Sequence, residues 1–146
     1  MEIKTDVSEL QTYEISKTLL EKFESDSFAN YLNFELLEAR PGYARVTTLV
    51  TEQGLNFAGS VHGGLLFSLA DYAFAAASNG HGRLAVATSM SIQFYAAAKL
   101  GDRLFALAQE QQLTHRAGFY EMTVTNESGQ KIAQCLGMVH RSTKTW

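Results

Sequence analysis

Asp71 is the residue that fits its surroundings least. It stands near the middle of Leu65–Asn79, LLFSLADYAFAAASN, a run dominated by leucine, alanine and phenylalanine. Aspartate is a poor residue for a helix interior. A carboxylate taken out of water without partners is costly. Two readings stay open. Either the acid lies on an exposed stripe or pairs with an arginine, or it is a reactive carboxylate, since perturbed acids mark functional sites.

A second cluster is Asn56 to Gly64, NFAGSVHGG. Glycine permits tight turns and close approach of backbone to a ligand. If a helix starts near Gly63, its free amides and its dipole favour an oxygen that is becoming negative, as acyl transfer requires. Taken alone, the glycine pair is equally an ordinary helix start, and His62 a turn former or helix cap.

Distance links the two clusters. Asp71 falls about two turns into such a helix, roughly 12 Å from its start at 1.5 Å per residue. A base and an oxyanion site must lie close to one reacting carbon. One copy of the helix cannot supply both. If both act, Gly63 of one chain faces Asp71 of another, in a symmetric assembly with shared sites.

Other chemistries are poorly served. His62, His81, His115 and His140 show no metal-ligand spacing. There is no phosphate loop or dinucleotide fingerprint, and no G-x-S-x-G elbow. Cys135, in a strand-like run, reads as a small core residue rather than a nucleophile. A net charge of -3 does not favour nucleic acid. No stretch is apolar for long enough to span a bilayer. The lone cysteine cannot form an internal disulfide, which suits a reducing, cytoplasmic setting. The opening MEIKTDVSEL lacks the charged-then-apolar pattern of a secretion signal.

The elements that must hold these residues fit one domain over 1–146. Ser8 to about Glu24 reads as a helix, with Ser8 and Gln11 as a capping box, in a helical extension over about 8–30. Arg40-Pro41-Gly42 separates two strand-like runs, Asn33–Ala39 and Tyr43–Thr51, as a hairpin would. Leu65–Asn79 is apolar nearly all round, so it should be buried on most sides. Asn79-Gly80 and Gly82 end it with residues that tolerate a left-handed backbone. Four strand-like runs follow, about Leu84–Ala98, Arg103–Leu113, Phe119–Asn126 and Lys131–Arg141. In the first, Met90, Ile92, Phe94 and Ala96 alternate with Ser89, Ser91, Gln93 and Tyr95, the period-two pattern of a sheet with one apolar face. A buried lone helix needs walls on several sides, and one antiparallel sheet curled around it is the simplest wall. The expected class is α+β.

Asn56-x-x-Gly59-x-x-His62-Gly63-Gly64, then Leu69-Ala70-Asp71-x-Ala73, resembles the PaaI-like thioesterases of the hotdog superfamily. Ser89-x-x-Ile92-x-Phe94 and Gly101-Asp102-x-Leu104 extend the likeness, which runs from about Phe28 to His140. The resemblance implies a central helix cradled by an antiparallel sheet, usually in a dimer of dimers. It implies an acyl-CoA thioesterase acting on aryl-acetyl, other aromatic or aliphatic acyl-CoA. Asp71 matches the family's general base or nucleophile. Asn56 matches the residue that positions water or thioester. The Gly63 amide would polarise the carbonyl, with His62 supporting that geometry and Gly64 beside it in the substrate site. Ser89 matches a strand hydroxyl near the carboxylate. Asp71 would come from one subunit, and Asn56 with the His62-Gly63 turn from its partner. Hydrolysis would need no metal or redox cofactor, CoA being part of the substrate. Its phosphates would meet Lys99, Arg116 or Arg141 at the subunit boundary. Two positions depart from the pattern: Tyr72, where many relatives carry a small residue, and Asn33, where they often carry glycine. The alternative is a non-catalytic acyl-CoA-binding hotdog protein. A hydratase would pair its acid with histidine in another arrangement.

Overall fold

The computed structural model describes residues 11–146. Its centre is α3, Gly63–Asn79. Leu69, Ala70, Ala73, Ala76 and Ala77 are fully buried. Four of these five are alanines, small enough for a sheet to close on the helix from several sides. The helix keeps one partly open stripe, Gly64, Phe67, Ser68, Asp71 and Ala75. Those positions recur at three and four residues, the spacing of one helical face.

The walls are β2 (Glu35–Arg40), β3 (Tyr43–Leu49), β4 (Arg83–Phe94), β5 (Arg103–Leu113), β6 (Ala117–Asn126) and β7 (Lys131–Thr145), and α3 packs against all six. With the two-residue β1 (Thr12–Tyr13) they form one sheet in the order β1-β2-β3-β5-β6-β7-β4. The strands from β2 to β7 pair antiparallel, as the pattern predicts, while β1 adds parallel to β2. Val46, Leu104, Met122 and Ile132 are fully buried in this core. Each large side chain so buried contributes about 1.5–3 kcal/mol against leaving it in water. Met90 and Ile92 pack against the core as the alternation requires, but Phe94, in the same phase, is 54% exposed at the strand's end. β4 closes one side of the sheet with a free edge twelve residues long.

The expected helix over Ser8–Glu24 is corrected. Ser8 lies outside the described residues. Thr12 and Tyr13 are strand, and α1 spans only Lys17–Glu24. β-branched and aromatic residues favour strand. A free sheet edge was also at hand: Glu14 N–H donates to the Ala39 carbonyl at 2.7 Å and Tyr13 Oη to the Leu36 carbonyl at 2.7 Å. The cap is Ser16, which accepts the Leu19 N–H. A second short helix, α2 (Ser27–Tyr31), is capped by Asp26, which accepts the Ala29 N–H at 2.9 Å.

The end of α3 is also corrected. Gly80 is right-handed, with φ -57°. It is small because a Cβ there would lie 2.8 Å from the Arg40 carbonyl oxygen. The left-handed residue is Gly82, with φ +89°. Asn33 has φ +57°, a left-handed conformation that glycine adopts freely and that asparagine is among the few other residues to adopt readily.

Candidate active site

His62 is the N-cap of α3, and its ring Nδ1 accepts the Gly64 N–H at 2.8 Å. The Leu65 and Leu66 amides both donate to the His62 carbonyl. A helix start leaves several amides without helical acceptors. Here three of the first four are occupied, and among the described residues nothing accepts the Gly63 N–H. His62 is thus a cap whose effect is to leave one chosen amide open. A Cβ on Gly63 would lie 3.1 Å from the Phe94 ring. A groove of about 440 Å³ between Gly63, Leu66, Phe94 and Ala98 leads to that amide.

Asn56 builds the preceding loop. Its Oδ1 accepts the Ala58 N–H at 2.9 Å and the Ser60 N–H at 3.1 Å, and its own N–H donates to the Ser60 carbonyl. With Oδ1 committed, the side-chain NH₂ is the group left to meet a substrate or a water. The Val61 N–H donates to the Ala98 carbonyl and the His62 N–H to the Gly54 carbonyl, tying this loop to both flanks of the sheet.

Asp71 lies half-buried on the open stripe of α3. Among the described residues no hydrogen bond or ion pair reaches its carboxylate. Burial lifts its pKa above the usual carboxylate value, and the Asp26 carboxylate adds to the rise. The position therefore joins both readings of the sequence: a partly exposed stripe and a perturbed acid. Asp71 also raises the thiol of Cys135, which burial pushes up to about 11. Cys135 is 1% exposed, a core residue as expected.

The other expected site residues are less close together. Ser89 is exposed on β4, out of phase with the inward-facing Met90 and Ile92 and just beyond an irregularity between Ala87 and Ser89. Strand alternation turns it away from α3 of its own chain. Lys99 is exposed next to Ala98, at the Gly63 end of α3. Arg116 is exposed in the β5–β6 turn, where its carbonyl accepts the Arg141 N–H. Arg83 donates to the neighbouring His115 carbonyl, and Arg83 opens β4 just beyond the other end of α3. The three basic candidates are thus split within one chain, Lys99 at the Gly63 end of the helix and Arg116 with Arg141 at the other.

Tyr72, the first departure from the family pattern, points away from the open stripe. It is 7% exposed, and its hydroxyl donates to the Phe23 carbonyl at 3.0 Å. Phe23 meets its ring edge-on at 6.0 Å. Asp26 and Ser68 near the site were not singled out by the sequence, and Phe94 was named only for its strand phase and the family likeness, not for its place against Gly63. Ser68 could have been, since Gly64, Ser68 and Asp71 share one helical spacing. The nearness of Asp26 to Asp71 has no local signal.

Residues 58–133 match the family model of the thioesterase superfamily. The acyl-coenzyme A thioesterase PaaI of Escherichia coli K12 is 40% identical over 119 residues, 82% of this chain and 85% of that protein. The E. coli PaaI structure, from the phenylacetic acid degradation operon, superposes with a TM-score of 0.84 at 38% identity, covering 87% of this chain and 92% of that one. A Streptococcus mutans UA159 protein solved with acetyl-CoA bound has a TM-score of 0.75 at 30% identity, covering 78% and 92%. With α3 wrapped by its sheet and an open amide at its start, the chain belongs to the thioesterase superfamily, with a hotdog fold of the PaaI-like kind.

Proposed function

We propose that this protein hydrolyses acyl-CoA thioesters to free acid and CoA, using sites shared between copies. The observation that carries this is the Gly63 amide, which meets no acceptor among the described residues, on the same helix as a half-buried Asp71 that pairs with none of them. Eight residues of helix separate them, roughly 12 Å. A thioester carbonyl held by the Gly63 N–H of one chain meets Asp71 of its partner. The long free edge of β4 suits such pairing, because an uncovered strand is a template for another.

In this reading the carbonyl oxygen accepts the Gly63 N–H, which also holds the negative charge as the carbon becomes tetrahedral. Asp71 takes a proton from water, and the hydroxide so formed attacks the carbon. The C–S bond breaks, and the proton passes from Asp71 to the departing CoA sulfur. The alternative route has the carboxylate attack the carbon and break the C–S bond, giving a mixed anhydride and CoA thiolate; water then opens the anhydride to free acid and Asp71, and its released proton goes to the thiolate. Asn56 donates through its amide to the water or thioester. His62 keeps the helix start in shape, and Gly64 lines the carbonyl's approach. Ser89 would reach an Asp71 carboxylate across a chain boundary. Lys99 of one subunit and Arg116 or Arg141 of another would meet the CoA phosphates. The reaction draws on protein groups and water, without a cofactor. Two such dimers form the expected tetramer, and the sealed thiol suits a reducing cytoplasm. The support is the site geometry together with the E. coli acyl-CoA thioesterase and the acetyl-CoA-bound S. mutans relative.

The test is CoA release from a panel of acyl-CoAs by wild type and Asp71→Asn, with oligomeric state measured by sedimentation. Turnover by wild type and a loss of at least ~100-fold in the variant supports the assignment. Binding without turnover supports the non-catalytic alternative. Equal rates in both proteins keep the activity and overturn Asp71. Full activity from a monomer overturns the shared site.

A further inference from the structure

Phe28 is 61% exposed, yet it sits on an anchored element. Asp26 caps α2 at one end, and the Phe34 N–H donates to the Ala29 carbonyl at 2.9 Å beyond the other. Upstream, the Tyr72 hydroxyl holds the Phe23 carbonyl. The backbone that carries the ring is therefore anchored, while the ring itself stands in the open. Phe28 and Leu32 form one side of a cavity of about 280 Å³, and His62, Gly64 and Ser68 form the other. Gly54 completes the floor, where a Cβ would lie 2.9 Å from Leu65, so this floor is closely packed already.

We propose that this cavity receives the apolar part of the acyl group, and that Phe28 is its specificity-determining wall. The inference rests on the acyl-thioester reading above and adds the residue that selects among acyl groups. The cavity is lined by His62 and Gly64, the two chain neighbours of Gly63, which places α2 within reach of the acyl substituent of a carbonyl held by the Gly63 amide. A two-carbon acyl group ends before the Phe28 ring. A larger one lays its apolar surface on that ring, which removes both from water. Leu32 and Leu65 continue the apolar lining, and the polar side chains that line it are Gln53, His62 and Ser68. Selectivity is thus set by the segment that precedes the Asn56–Gly64 motif, not by the motif.

The test measures binding, so that it does not depend on turnover. Dissociation constants for acetyl-CoA and phenylacetyl-CoA are measured by calorimetry on Asp71→Asn and on Asp71→Asn with Phe28→Ala. Phe28 is exposed, so its loss opens no core, and Phe28→Leu serves as a second variant that keeps an apolar side chain. The expected result is that the preference for phenylacetyl-CoA over acetyl-CoA falls about tenfold with alanine and less with leucine. Equal shifts for both ligands, no shift, or no binding of either ligand overturns the proposal. If wild type turns over no thioester but the preference still falls, the cavity assignment stands and the hydrolase reading fails. If wild type is active and the preference is unmoved, the Phe28 assignment alone fails.

Discussion

His62 and Gly64 are joined by a 2.8 Å hydrogen bond from the Gly64 amide to the imidazole Nδ1. That bond fixes the tautomer, since an accepting Nδ1 leaves the proton on Nε2. Replacing His62 by alanine removes the cap and should cost about 1 kcal/mol of stability. It also frees a second amide beside Gly63. Asparagine, whose Oδ1 also caps well, should restore the stability. Thermal unfolding of both variants, set beside kcat/KM, tests this. An alanine variant as stable as wild type would show that the cap is not holding the helix start.

Gly63 has the Phe94 ring against the place its Cβ would occupy. Gly63→Ala must push that ring or move the amide. A shift of the order of 1 Å at a reacting centre costs about 100-fold, so a loss of about 10–100-fold in kcat is expected. Adding Phe94→Ala should return part of it, because the obstruction is then gone. Steady-state kinetics of the single and double variants decide the matter, and strict additivity would overturn the steric account.

Asp71 has a folded-state pKa raised above its unfolded value, by burial first and Asp26 second. Such a group favours the fold when protonated. Its contribution fades as pH rises from the unfolded carboxylate value through the folded one. Asp71→Asn should therefore raise the Tm at pH 7, and the advantage should vanish below about pH 4, where both forms are neutral. The acid limb of kcat/KM should likewise lie above the ordinary carboxylate range. Calorimetry across pH tests the first and a pH–rate profile the second. A variant less stable at pH 7 would contradict the burial cost.

Tyr72→Phe keeps the ring against Phe23 and leaves the buried Phe23 carbonyl without its donor. An unmet buried acceptor costs about 1–3 kcal/mol. Urea unfolding should show that loss. Limited proteolysis should cut the chain near residues 24–27 faster than in wild type. Unchanged stability would mean that the hydroxyl bond carries no net weight.

Much of this architecture was legible in the sequence because its signals were local. The alanines around Asp71 announced a helix enclosed on several sides. Pro41-Gly42 announced the hairpin between β2 and β3. The start of α3 at Gly63 followed from the glycine pair. The misjudged places depend on distant partners. Thr12 and Tyr13 became strand because Ala39 and Leu36 offered carbonyls about twenty-five residues away, which no local pattern records. Gly80 resembled a left-handed cap, but its smallness answers to Arg40. At the site, the helical spacing of Asp71 and Gly63 was readable. The committed Oδ1 of Asn56 was not, because an Asx turn shows only when the loop is folded.

The burial of Cys135 has a practical consequence for experiments on this protein. It is the chain's one cysteine, it is 1% exposed, and its thiol is pushed up to about 11. Alkylating reagents attack thiolates, and at neutral pH almost none is present or reachable. The natural protein is therefore a nearly silent background for thiol labelling. A cysteine introduced at an exposed position such as Ser91 becomes the reactive one, so a spin label or fluorophore can be placed along β4 without first removing a native residue.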